Sequence, residues 1–121
     1  MMGGQPNLPD EAQEKIQQLQ EMQDSHEELQ EALASLRDGL ESATRAQEFI
    51  ENVPEDTTVH RQVDELLFEM DYGDAQEHID QKVADYEEDI ERLGERHEQL
   101  EEQMEELGQE VQEMMQKEQS D

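Results

Sequence analysis

Four histidines, His26, His60, His78 and His97, are the side chains of this 121-residue chain best suited to moving a proton or holding a transition metal, because cysteine is absent. Their spacing matches no standard site. No histidine is preceded by the Glu-x-x-His pattern of di-iron helix bundles. Asp71, Gly73 and Asp74 fall short of an EF-hand, which needs ordered oxygen ligands across twelve residues and a terminal Glu. Gly-rich phosphate loops and Gly-x-Ser-x-Gly are missing, and Ser25, Ser35, Ser42 and Ser120 have no His and Asp arranged with them on separate elements. Carboxylates abound, with 36 Asp plus Glu, but general acid catalysis needs one in a pocket that shifts its pKa, and no pocket is expected. The reading is therefore a non-enzyme with no catalytic residue, metal or cofactor.

Composition narrows the classes further. Leu, Ile, Val and Phe make up about 18% of the chain, and 8 Lys plus Arg against 36 acids give a net charge of −28. That combination borders on the range of disordered chains and excludes a sizeable globular core. The charge repels nucleic-acid phosphates and anionic membrane surfaces alike. The longest apolar run is Leu66-Leu67-Phe68, so no membrane span or signal peptide is expected, and the location reads as cytoplasmic. Acids are spread from Asp10 to Asp121 rather than blocked in a tail. Such spread fits adaptation to a salty interior better than a localised patch for basic proteins, since the Debye length shrinks from about 10 Å at 0.1 M salt to about 3 Å at 1 M.

The elements come from periodicity. Leu19, Met22, His26, Leu29, Leu33, Leu36, Leu40, Ala43, Gln47 and Ile50 are spaced alternately three and four apart, and so are Ile79, Val83, Tyr86, Ile90, Leu93, His97, Leu100, Met104, Leu107, Val111 and Met114. Heptads this long specify coiled coil over disorder. The expected layout is a disordered 1–9, helix 10–51, a linker and β-hairpin over 52–73, helix 74–117 begun by Asp74 as N-cap, and a disordered 118–121. An antiparallel pairing with facing residue numbers summing to 133 sets Leu33 against Leu100, Leu40 against Leu93 and Gly39 level with Gly94, a soft point or simply two surface glycines. It leaves His26 and His97 about 15 Å apart, too far to share a metal, each a polar seam residue that fixes register.

Between the arms, Thr57, Thr58, Val59 and Val63 precede Asp64-Glu65, and Leu66, Leu67, Phe68, Met70 and Tyr72 follow it. Two short strands turning at Asp64-Glu65 are expected, with helical continuation as the rival. A lone apolar hairpin has two open edges, so Val59, Val63, Leu66, Leu67 and Phe68 are candidates for self-association. Toward the free ends of the arms, Ile16, Leu19, Met22, Leu107, Val111, Met114 and Met115 gather pliable apolar side chains; most fit the seam, but Ile16 and Met115 lie beside it. They are candidates for holding an unfolded chain if the helix ends fray.

Asn7-Leu-Pro-Asp-Glu-Ala-Gln-Glu-Lys15, Pro54-Glu-Asp-Thr-Thr-Val-His-Arg-Gln-Val63 and Leu66-Leu67-Phe68-Glu69, within a helix, hairpin, helix layout, resemble the β class of archaeal prefoldin subunits over nearly the full chain. Asp64 stands where that family usually has Gly, and His60 where an aromatic is usual. The resemblance implies a mainly α, prefoldin-like antiparallel coiled coil with a hairpin at the connected end. It also implies a hexamer of two α and four β subunits joined through the hairpins, ATP-independent capture of unfolded proteins at the coiled-coil tips, and transfer to a group II chaperonin. The acidic surface would suit a halophilic archaeon. The alternatives are a coiled-coil scaffold and an acidic binder of basic proteins.

Overall fold

The computed structural model describes residues 9–119. Helix α1 spans Asp10–Glu51, strands β1 (Val59–Val63) and β2 (Leu66–Met70) form an antiparallel two-stranded sheet, and helix α2 spans Tyr72–Gln119. Pro9 offers its carbonyl to the amide of Gln13, so the first helical bond closes on a residue whose own missing N–H costs nothing there. Helix α2 opens two residues earlier than the Asp74 cap expected from sequence. Its first bond runs from the Ala75 amide to the Asp71 carbonyl, which makes Asp71 the N-cap and places Asp74 in the first turn, where an acid favours the helix dipole. The helix also runs past Lys117, where it was expected to end, to Gln119. Of the ends read as disordered, residues 1–8 and 120–121 lie outside the described residues.

The hairpin pairs Val59 with Met70, Arg61 with Phe68 and Val63 with Leu66 across a two-residue loop. Asp64, the first loop residue, has a positive φ of 54°. A positive φ at that position lets a two-residue loop follow the right-handed twist of the strands, and Asp tolerates it better than most residues.

The chain divides into two compact units, one holding the described residues up to Glu31 together with Gly94 onward, the other Ala32–Leu93. Each contains an antiparallel segment of α1 against α2. In the first, Ala12, Leu107 and Val111 are buried; in the second, Leu33, Ala43, Ile50, Ala75 and Val83 are. No described polar or charged residue is buried. The core is thus one seam wide, as the low apolar content requires.

The register differs from the one expected. Lys15 Nζ meets Glu110 Oε2 at 2.8 Å and His26 meets Glu101 at 3.1 Å in one unit, and Gln47 donates to Asp80 at 2.8 Å in the other. Facing residue numbers therefore sum to 125–127, about one heptad short of 133. A seam that repeats every seven residues looks the same after a slip of seven, so the pattern alone does not choose. The connection chooses: the Tyr72 hydroxyl donates to the Ile50 carbonyl, tying the first turn of α2 to the last turn of α1. Gly39 accordingly packs against the Tyr86 ring and not at the level of Gly94; a Cβ at Gly39 would lie 2.6 Å from that ring, whereas one at Gly94 would meet nothing within 4 Å.

Candidate functional site

In the Ala32–Leu93 unit the hairpin presents its apolar side chains to solvent. Leu66 is 62% exposed, Leu67 66%, Phe68 51% and Val63 41%, while Val59 is half-buried. Alternation along the strands places Val59, Val63, Leu66, Phe68 and Met70 on one face and Leu67 on the other. The first face is therefore apolar apart from Arg61, and the second sets Leu67 among His60, Gln62 and Glu69. The sheet has only two strands, so each strand keeps one edge of backbone N–H and C=O groups without a ladder partner. Phe49 on α1 is 74% exposed and was missed by sequence reasoning, although it lies off the stripe that Gln47 and Ile50 define.

A cleft of about 510 Å³ opens between the hairpin and the helices of this unit, lined among others by Gly39, Arg61, Met70, His78, Lys82 and Tyr86. It gathers Arg61 and Lys82, two of the chain's eight Lys and Arg residues. Burial, reinforced by the charges of Arg61 and Lys82, holds His78 below the usual histidine range.

In the unit carrying both chain ends, the apolar residues are turned inward. Leu107 and Val111 are each 8% exposed; Ile16, Leu19, Met22 and Met114 are half-buried; Met115 is 39% exposed. The Lys15 to Glu110 ion pair crosses between the helices here, and that hydrogen bond holds the Lys15 ammonium above its ordinary pKa. In the same unit His26 and His97 stack with ring centroids 4.2 Å apart, and both approach Glu101. The separation of about 15 Å expected from sequence was a consequence of the slipped register.

The described helices contain no segment long and apolar enough to cross a membrane. The profile of the prefoldin subunit family matches residues 13–118. The chain belongs to the prefoldin family. It is 38% identical over 80 residues to the prefoldin subunit beta of Halobacterium salinarum, covering 66% of this chain and 64% of that one. With the prefoldin subunit beta of Natronomonas pharaonis it shares 37% identity over 79 residues, 65% of this chain and 60% of the relative. The chain thus matches less than two thirds of the length of these curated relatives, both from halophilic archaea. Among solved structures, the prefoldin beta subunit from Thermococcus strain KS-1 superposes with a TM-score of 0.80 at 23% identity, covering 90% of this chain and 96% of that one. The beta2 subunit from the same strain gives 0.66 at 22% identity, covering 75% and 97%. These two likenesses carry the two-helix, one-hairpin fold of the prefoldin family.

Proposed function

We propose that this chain is a β-type subunit of a prefoldin chaperone, assembling through its hairpin with α-type and further β-type subunits into a hexamer of two α and four β chains. The hairpin is the observation that carries the reading. A two-stranded sheet is marginal in water, and one with Leu66, Leu67 and Phe68 more than half exposed becomes stable when its edges and faces are covered by other strands. Val59, Val63, Leu66, Leu67 and Phe68 form the assembly contacts on this reading.

Unfolded clients are held by Ile16, Leu19, Met22, Leu107, Val111, Met114 and Met115, without ATP or covalent chemistry, and passed to a group II chaperonin. Met115 supplies the surface already open, and parting of the helix ends supplies the rest. The charge of −28 brings self-repulsion that opposes assembly in dilute buffer, and molar salt screens it.

Suppression of the aggregation of a chemically unfolded protein, measured at about 2 M KCl, tests capture. Leu107→Ser, Val111→Ser and Met114→Ser together should abolish it; because Leu107 and Val111 are buried, Ile16→Ser with Met115→Ser is the milder partner and should reduce suppression several-fold while leaving the helical signal intact. Undiminished suppression by both variants would sink the assignment. A hold based on charge would instead fail in the unmutated chain as salt rises, because exposed charge pairs are screened.

A further inference from the structure

We propose that His26, His97 and Glu101 form a site for a borderline-soft divalent ion of the Zn²⁺ class, which clips α1 to α2 in the unit that carries both chain ends. His97 and Glu101 are four residues apart, so α2 presents them on one face, and α1 brings His26 to the same point. His26 Nε2 lies 3.1 Å and His97 Nδ1 3.5 Å from the same Glu101 Oε1, and all three residues offer ligand atoms within 4.8 Å of one another. A tetrahedral ion with bonds of about 2.0–2.2 Å needs its ligand atoms roughly 3.3–3.5 Å apart. Small side-chain rotations close the difference.

A purely structural role accounts for these residues less well. Two leucines would fill the seam at lower cost than two imidazoles, whose polar atoms lose water there. One carboxylate oxygen faces a nitrogen of each ring, so two helices bring three potential ligand groups to a single point. The histidine side chains are 18% exposed and Glu101 is 55% exposed, so an ion can enter from solvent and keep water as its remaining ligand. Imidazole ligands select Zn²⁺, Ni²⁺ or Co²⁺ over Mg²⁺, which distinguishes this cluster from the carboxylates that cover the rest of the chain. The ion would also resolve the heptad degeneracy, since only the observed register brings His26 and His97 together.

The test uses the full chain, freed of metal, at about 2 M KCl. Added Co²⁺ should give the strong visible absorption of a tetrahedral site, saturating at one ion per chain and displaced by Zn²⁺, and Zn²⁺ should raise the melting temperature by several degrees where equimolar Mg²⁺ does not. Glu101→Gln should weaken Co²⁺ binding at least tenfold, and His26→Gln with His97→Gln should eliminate both the absorption and the melting shift. His60→Gln with His78→Gln should leave them unchanged, and the metal-free helical signal of every variant shows whether it folds. Absorption of only the weak octahedral kind, equal stabilisation by Mg²⁺, or unchanged binding in the His26 and His97 double variant would each overturn the site. The readout is metal binding, so it stands apart from chaperone assays.

Discussion

The two units of this chain use the same pair of helices and treat apolar surface in opposite ways. In Ala32–Leu93, Phe49, Val63, Leu66, Leu67 and Phe68 are 41–74% exposed; in the unit with both chain ends, Met115 at 39% is the one large apolar side chain so exposed among the described residues. Surface that is permanently open calls for a permanent cover, and surface that is folded away can be offered and withdrawn. On the proposed function the first is subunit assembly and the second is client capture. The largest effect is therefore expected at the hairpin. Leu66→Ser with Phe68→Ser should convert a defined hetero-oligomer, seen by light scattering at about 2 M KCl with an α-type subunit, into monomers that keep their helical signal. An oligomer unchanged in mass would remove the hairpin from the interface.

Glycine substitutions sharpen the contrast between the units at the level of stability. Alanine favours a helix over glycine by about 1 kcal/mol, and Gly94 has open space where the Cβ would go, so Gly94→Ala should stabilise the chain by about that amount. Gly39→Ala drives a methyl group to 2.6 Å from the Tyr86 ring, and overpacking costs about 1–3 kcal/mol, so this variant should be neutral to destabilised by about 2 kcal/mol. Urea midpoints of the two variants measure the difference directly. Equal gains would mean that Tyr86 swings clear and that the Gly39 contact does not hold the register.

These contrasts explain what could be read in the sequence. The helices and hairpin follow from the period of the apolar residues and from the β-formers around Asp64-Glu65, which are local properties. The register was not legible, because a heptad seam is unchanged by a slip of seven, and the deciding contact, the Tyr72 hydroxyl on the Ile50 carbonyl, joins residues 22 apart through a connection of irregular geometry. Everything that depended on register moved with it. His26 and His97 became neighbours, and Gly39 met Tyr86 in place of Gly94. The cleft that joins Arg61 of β1 to His78 and Lys82 of α2 was not legible because it depends on where the hairpin lies against the helices. Phe49 was legible and overlooked: an aromatic residue off the seam is exposed wherever the seam is buried.

A smaller effect lies in the turn. Asp64 holds a φ of 54°, a conformation that disfavours most residues by roughly 1–2 kcal/mol and glycine hardly at all. Asp64→Gly should therefore raise stability by a few tenths of a kcal/mol to about 1 kcal/mol, with the gain confined to hairpin amides in hydrogen exchange once the subunit is kept monomeric by Leu66→Ser and Phe68→Ser. Protection gained equally in the terminal unit would show that the two units open together.

The smallest expected effect is a pH dependence that belongs to the hairpin unit alone. His78 titrates below the ordinary histidine value of 6.5 because burial penalises its charged form first and Arg61 and Lys82 oppose it further. The folded chain therefore binds fewer protons at this site than the unfolded chain once the pH drops below about 6.5. Stability from this group is complete above that pH, declines as the pH falls toward the depressed folded-state value, and stops changing below it. Other carboxylates and histidines also take up protons in this range, so the informative quantity is the difference between the chain and His78→Gln, from urea midpoints at pH 7.5 and pH 5.5. The variant should lose less stability on acidification. Arg61→Gln should recover only part of that difference, since burial is the leading cause; full recovery by Arg61→Gln would make charge repulsion the dominant force in the cleft.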